Sequence, residues 1–201
     1  MMYARREHTS SLLSSGKVLV AGGYGHNGFM NNSELYNPTT GAWTNTGSMT
    51  DPRSQHQASV LFDGKVLVTG GYGLNYSFLN STELYDETTG LWTVTGNMND
   101  NRAYHTASVL SDGKVLVAGG YGFSNTINSA ELYDPMTGIW TLTGTMNDVR
   151  YQHTASVLLD GRVLVTGGYE LSSAELYDPM TGIWTLTGNM SSNRYQHTAS
   201  V

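Results

Sequence analysis

The sequence repeats itself four times, and nothing else in it restricts the fold as strongly. Paired glycines fall at Gly22-Gly23, Gly70-Gly71, Gly119-Gly120 and Gly167-Gly168, at steps of 48, 49 and 48 residues. The four tryptophans keep the same phase at Trp43, Trp92, Trp140 and Trp184, and the triplet Glu-Leu-Tyr begins at Glu34, Glu83, Glu131 and Glu175. A further element, Arg-x-x-His, occurs five times, at Arg5/His8, Arg53/His56, Arg102/His105, Arg150/His153 and Arg194/His197. A period of this length marks a supersecondary unit that cannot bury its apolar face alone and must stack on copies of itself. Any architecture has to accommodate five copies of one element beside four of the others.

Each unit reads as four short strands. The first, His-Thr-Ala-Ser-Val in the third and fourth units, runs into Asp63-Gly64, Asp112-Gly113 or Asp160-Gly161. That dipeptide predicts a two-residue hairpin with positive φ at both centres; Ser15-Gly16 is the weaker counterpart in the first unit. The second strand, Lys/Arg-Val-Leu-Val-Ala/Thr before the glycine pair, is almost wholly apolar, as for a strand covered on both faces. The third carries Glu-Leu-Tyr, and the turns Asp134-Pro135-Met136-Thr137-Gly138 and Asp178-Pro179-Met180-Thr181-Gly182 lead to a fourth strand that opens near Trp. No segment shows a helical period. The 24 glycines and a charged fraction of only 13% fit an all-β chain rich in tight turns.

A lone four-stranded sheet cannot bury Trp, Tyr and Val-Leu-Val together; radial repetition of such sheets can. The glycine doublet, the Glu-Leu-Tyr strand with its turn, and the in-phase Trp resemble the Kelch repeat over essentially the whole chain. The resemblance implies an all-β Kelch-type propeller of four-stranded antiparallel blades around a central channel, the first strand innermost. The blades are expected at about 3–48, 51–98, 100–146 and 148–190, forming one domain over 1–201, with 193–201 as an extra inner strand. Kelch-like propellers have five to eight blades, so this pattern is that of a segment of a larger propeller or half of an eight-blade homodimer. A closed four-blade ring, with the last strand completing the first blade or displacing residues 3–13, is the alternative.

Composition removes several function classes. Ten Lys and Arg against 16 Asp and Glu give a net charge of −6, without the basic stripe that phosphate-backbone binding needs. The absence of Cys removes disulfides, thiolate catalysis and Cys-ligated zinc. The sequence shows no apolar run of membrane-spanning length and no signal-peptide core, which favours a cytoplasmic compartment. In-phase histidines on separate blades are too dispersed to converge on one metal ion, so the expectation is that each satisfies backbone groups at a blade entrance. The in-phase glutamates and arginines suggest a recurring structural ion pair, within a blade or with the next, because a catalytic carboxylate pair needs two different environments. No nucleophile elbow, phosphate loop or metalloprotease motif is present. The reading is a non-enzyme without cofactor or metal.

Positions that differ between copies are those free to recognise something. The second-to-third-strand loops vary most and carry Phe29, Tyr76, Phe78 and Phe123, and the fourth loop is about four residues shorter than the others. The Kelch resemblance places the fourth-to-first-strand segments on the same face, which adds Gln55, Tyr104, Gln152 and Gln196, with Glu7, around the channel mouth. Aromatic rings and amides there suit a protein or peptide partner. A carbohydrate-binding propeller resembling the Kelch domain of copper oxidases is the second class, although without Cys the cross-linked Tyr–Cys cofactor of those enzymes cannot form. A segment without autonomous function, stable only inside a larger protein, is the third.

Overall fold

The computed structural model describes residues 1–123 and 125–199. It is almost entirely β, built as four-stranded antiparallel sheets in tandem, each with its strands in chain order. Blade I comprises β1 (Thr9–Leu12), β2 (Val18–Ala21), β5 (Ser33–Asn37) and β6 (Ala42–Thr46), with a minimal hairpin of β3 (Tyr24–Gly25) and β4 (Gly28–Phe29) in its upper loop. Blade II comprises β7 (Gln57–Val60), β8 (Val66–Thr69), β9 (Thr82–Asp86) and β10 (Leu91–Val94); its loop holds a single 3-10 turn, Leu74–Tyr76. Blade III comprises β11 (Thr106–Val109), β12 (Val115–Ala118), β13 (Ala130–Asp134) and β14 (Ile139–Leu142). Blade IV comprises β15 (Thr154–Val157), β16 (Val163–Thr166), β17 (Ala174–Asp178) and β18 (Ile183–Thr187). The first strands of successive blades lie side by side, β1 by β7, β7 by β11 and β11 by β15, as in a multi-bladed propeller.

Burial follows the pattern of each strand. All four residues of β8 and of β12 are buried, since apolar side chains there meet a neighbouring blade on both faces. The outer strands β10 and β14 expose every residue but the tryptophan to a large degree. The hairpins depart from the sequence expectation. Only the glycine of each Asp-Gly turn has positive φ (Gly64 at 85°, Gly113 at 86°, Gly161 at 86°). The loop is a longer one, in which Leu61 N–H bonds to the Lys65 carbonyl and Gly64 N–H to the Leu61 carbonyl. Asp63 instead accepts the Lys65 N–H through Oδ1 at 3.0 Å. An ordinary turn closed by one left-handed glycine satisfies the same chain reversal without straining the aspartate.

One contact recipe joins successive blades. The Tyr85, Tyr133 and Tyr177 hydroxyls each meet a threonine of the preceding blade (Thr46, Thr95, Thr143) at 2.8 Å. The indoles of Trp92, Trp140 and Trp184 donate to the carbonyls of Gly47, Gly96 and Gly144 at 3.1, 2.9 and 2.8 Å. Gly96 must be glycine, because a Cβ there would collide with the Gly138 carbonyl of the next blade. The recipe is unfilled at both ends of the array. Gly188 has no neighbour where a Cβ would point, and Leu159 at the turn of blade IV is fully exposed. On blade I, Tyr36 and Trp43 are only half-buried, whereas Tyr85, Tyr133 and Tyr177 are each 0% exposed.

The expected inner strand at 193–201 is not formed among the described residues, 193–199, and Ser200 and Val201 lie outside them. A strand needs a ladder partner, and the second strand that pairs with every other first strand is not supplied here. The segment keeps the repeat's bonds to the blade before it: Gly168 N–H donates to the Arg194 carbonyl at 2.8 Å and Arg194 N–H to the Leu171 carbonyl at 3.0 Å, as the equivalent residues do at Arg53, Arg102 and Arg150.

Candidate functional site

The repeated polar residues interlock the blades. Arg53, Arg102 and Arg150 are completely buried, and each guanidinium pairs with the glutamate of its own blade: Glu83 at 3.0 Å, Glu131 at 2.7 Å and Glu175 at 2.8 Å. Each also donates to the first carbonyl of the same blade's glycine doublet, at 2.8, 2.8 and 2.7 Å. Arg5 repeats the arrangement with Glu34 and Gly22. One motif thus ties the segment entering a blade to its second and third strands, which accounts for the shared phase of Arg, Gly-Gly and Glu. Burial alone would raise the carboxyl of Glu175, but the Asn147, Asp148 and Arg150 donors outweigh it and hold it below the usual range.

Four of the five in-phase histidines, all but His8, bond to side chains of the preceding blade rather than to the backbone groups expected from sequence. Nε2 of His56, His105 and His153 meets Thr9, Thr69 and Thr106 of the preceding blade at 2.9, 2.8 and 3.1 Å. A threonine hydroxyl both donates and accepts, so it suits Nε2 in either tautomer, while Nδ1 of these histidines has no partner among the described residues. Burial, then the adjacent arginine, pushes His56 and His105 well below the ordinary imidazole range and His153 to about 3. His197 makes the same bond to Thr154 at 3.1 Å and to Thr166 at 3.2 Å.

Four of the residues just before the in-phase histidines line a common mouth. Glu7, Gln55, Tyr104, Gln152 and Gln196 all hold left-handed backbone, with φ between 51° and 57°. Non-glycine residues adopt this region at a cost of roughly 1–2 kcal/mol each. A chain of interblade bonds holds them there: Gln55 N–H to the Glu7 carbonyl, Tyr104 to Gln55, Gln152 to Tyr104 and Gln196 to Gln152, at 3.0–3.2 Å. The side chains of Gln55, Tyr104, Gln152 and Gln196 line an open recess of about 160 Å³ together with Gln57, His105, His153 and His197. Gln55, Tyr104, Gln152 and Gln196 are therefore brought into one place.

The loop aromatics extend this mouth into a track. Phe29 lies edge-on to Tyr24 and to Tyr76, each at 5.1 Å between ring centroids. Tyr76, 64% exposed, leads to Tyr72 at 6.4 Å. Tyr72, Phe78, Tyr121, Tyr151 and Tyr104 then form a closed circuit in which each ring neighbours two others, from 4.7 Å for Tyr72 with Phe78 to 6.2 Å for Tyr104 with Tyr151. Tyr169 and Tyr195 continue from Tyr151 at 5.4 Å per step. Phe123 stands apart at a loop tip, 82% exposed, its N–H 3.3 Å from Asn101 Oδ1. Its neighbour Ser124 lies outside the described residues.

Sequence reasoning missed Tyr72, Tyr121, Tyr151, Tyr169 and Tyr195. Tyr72, Tyr121 and Tyr169 directly follow the glycine doublets, in phase with Tyr24, so they read as architecture. The signal lay one residue after each motif arginine, where Arg6, Ser54 and Ala103 give way to Tyr151 and Tyr195. Among the described residues, no three His, Asp or Glu side chains converge as metal ligands, and no helix is long and apolar enough to cross a membrane.

A family model, the KLHDC2/KLHL20/DRC7 Kelch-repeats domain, matches residues 7–201. No curated protein matches the chain. Among solved structures, that of YjhT superposes with a TM-score of 0.82 at 18% identity, over 96% of this chain and 73% of that one. At this identity the likeness shows the fold.

Proposed function

The chain belongs to the Kelch-repeat family matched by that domain model, and from this premise we propose that it is a non-enzymatic interaction module binding a protein or peptide across its aromatic face. The observation that carries the reading is the track of rings running from Tyr24 to Tyr195 beside an amide-lined mouth. Rigid aromatic rings supply contact area at little entropic cost, and Gln55, Gln152 and Gln196 offer both donors and acceptors to a peptide backbone. Arg5, Arg53, Arg102 and Arg150, the four glutamates, and His56, His105, His153 and His197 are each committed to a structural bond, which supports a role in architecture rather than acid–base chemistry.

The unfilled faces of blades I and IV support a finer reading of the fold, four complete blades of a larger propeller with 193–199 opening a fifth. Residues 197–201 repeat 153–157, so a copy of residues 158–197 can be appended in register. The added blade is expected to raise the urea midpoint; an unfolded extension with no gain in stability refutes this reading.

The functional test is a peptide array and a glycan array probed with the wild type and with Tyr104→Asn, which tolerates left-handed backbone. Peptide capture that is lost in the variant is the expected result. Capture of glycans alone transfers the face to the second reading, carbohydrate binding, which the neutral amide and phenol lining of the mouth also suits. Capture unaffected by the variant on both arrays rejects the face as a binding site.

A further inference from the structure

The five-ring circuit has a property that the rest of the track lacks. Aromatic rings carry negative faces, and a cation within about 6 Å of a centroid is attracted to them, most strongly where water is excluded. The protein fills this role itself at one end of the track, where the Arg6 guanidinium lies 5.2 Å from the Tyr24 centroid. None of its described cationic groups lies over Tyr72, Phe78, Tyr104, Tyr121 or Tyr151. The charged groups that act on these phenols are acidic, and one of them, Glu7, also lies 3.9 Å from Arg6 Nε. Glu7 acts on Tyr72 and on Tyr104, and Glu170 acts on Tyr151; both carboxylates are on exposed residues of the same face. Burial first, then Tyr104, Tyr121, Tyr151 and Glu7, push the Tyr72 phenol up to about 12, so the Tyr72 ring is neutral and electron-rich at any physiological pH. Beside the circuit, Gln55, Gln152 and Gln196 present amides but no positive charge.

We propose that Tyr72, Phe78, Tyr104, Tyr121 and Tyr151 seat the cationic side chain of a basic peptide, a lysine or an arginine, with Glu7 and Glu170 flanking it and the mouth glutamines engaging the peptide backbone. The inference rests on the peptide-binding reading and narrows it to one chemistry. Rings and carboxylates together select against acidic partners by repulsion and against neutral ones by the missing cation. A hydroxyl-rich ligand would instead need the Tyr104 hydroxyl.

The test uses the full chain and three labelled decapeptides of equal length, rich in Lys and Arg, in Glu, or in Ser and Gly, read by fluorescence anisotropy. The basic peptide is expected to bind at least tenfold tighter than the neutral one, the acidic one not at all, and tetramethylammonium ion should compete. Tyr104→Phe keeps the ring and should retain binding within about twofold, whereas Tyr104→Asn should weaken it tenfold or more. Phe62→Ala, at a hairpin of the opposite end of the blades, serves as the unaffected control, and urea midpoints confirm that each variant folds. Equal binding of basic and neutral peptides, or no binding by any, overturns the cation seat while the arrays still decide the peptide reading. Loss of binding in Tyr104→Phe overturns it in favour of a hydroxyl contact. Basic binding that Tyr104→Asn leaves intact overturns both.

Discussion

Trp140 and Trp43 occupy the same position in two blades and differ in what lies beside them, so their replacement by alanine measures the interblade contact directly. Trp140 is 7% exposed, packs on Tyr133 at 5.1 Å, and donates to the Gly96 carbonyl of blade II at 2.9 Å. Its deletion removes a large buried side chain and leaves that carbonyl without the indole donor. Large-to-small changes at packed aromatics cost about 3–5 kcal/mol. Trp43 packs on Tyr36 at 5.0 Å but has no blade on its other side and is only half-buried. With one face already wet, Trp43→Ala should cost about 1–2 kcal/mol, since hydrophobic stabilisation follows the area removed from water. Urea unfolding of both variants and the wild type, followed by far-ultraviolet circular dichroism, gives the two losses on one scale. Equal losses would refute the argument, because they would mean that the neighbouring blade adds nothing to the packing of Trp140.

Three further outcomes are expected. Arg102→Met should destabilise by about 3–5 kcal/mol, because it takes the buried Glu131 carboxylate's cationic partner away and leaves the carbonyls of Gly119 and Ser129 without their guanidinium donor; adding Glu131→Gln should recover part of the loss, and a strictly additive double variant would contradict the pairing. Stability should fall with acid: His153 is neutral when folded, with its folded pKa depressed to about 3 from 6.5, so its contribution is complete above the unfolded pKa and is lost as pH drops from 6.5 toward 3, at about 1.4 kcal/mol per pH unit. His153→Gln, which keeps a donor toward Thr106, should flatten that slope, and an unchanged slope would locate the acid sensitivity elsewhere. Gln152→Gly should gain about 0.5–1 kcal/mol by relieving its left-handed backbone at φ 55°, while weakening any ligand that uses the mouth; a loss of stability would show that the glutamine side chain, not the backbone, holds that position.

The blades were readable from the chain because their causes are local and repeated. Gly-Gly must admit a close backbone, Glu-Leu-Tyr alternates, and Val-Leu-Val is apolar throughout, so period and pattern alone specify four-stranded sheets that need one another. The turn of the Asp-Gly hairpins was misjudged because two loop geometries use the same dipeptide, and the difference lies in whether the aspartate accepts a backbone N–H two residues on, as Asp63 does from Lys65. The extra strand at 193–201 was anticipated from its motif, but a strand is a relation between two segments, and no partner is present among the described residues.

The binding face shows the same division more sharply. Gln55, Tyr104, Gln152 and Gln196 could be placed at one mouth because the Kelch resemblance implies that the segments before the in-phase histidines share a face, whereas the ring circuit depends on how far one blade is rotated from the next. Tyr72 and Tyr104 are 32 residues apart in sequence, and Tyr104 and Tyr151 are 47 apart, yet their rings come within 5.7 and 6.2 Å. Periodicity records which residues are equivalent; it does not encode the angle between neighbouring sheets. That angle is set by the packing of Trp, Tyr and the glycine backbones at the interface, and it alone decides which aromatic side chains meet.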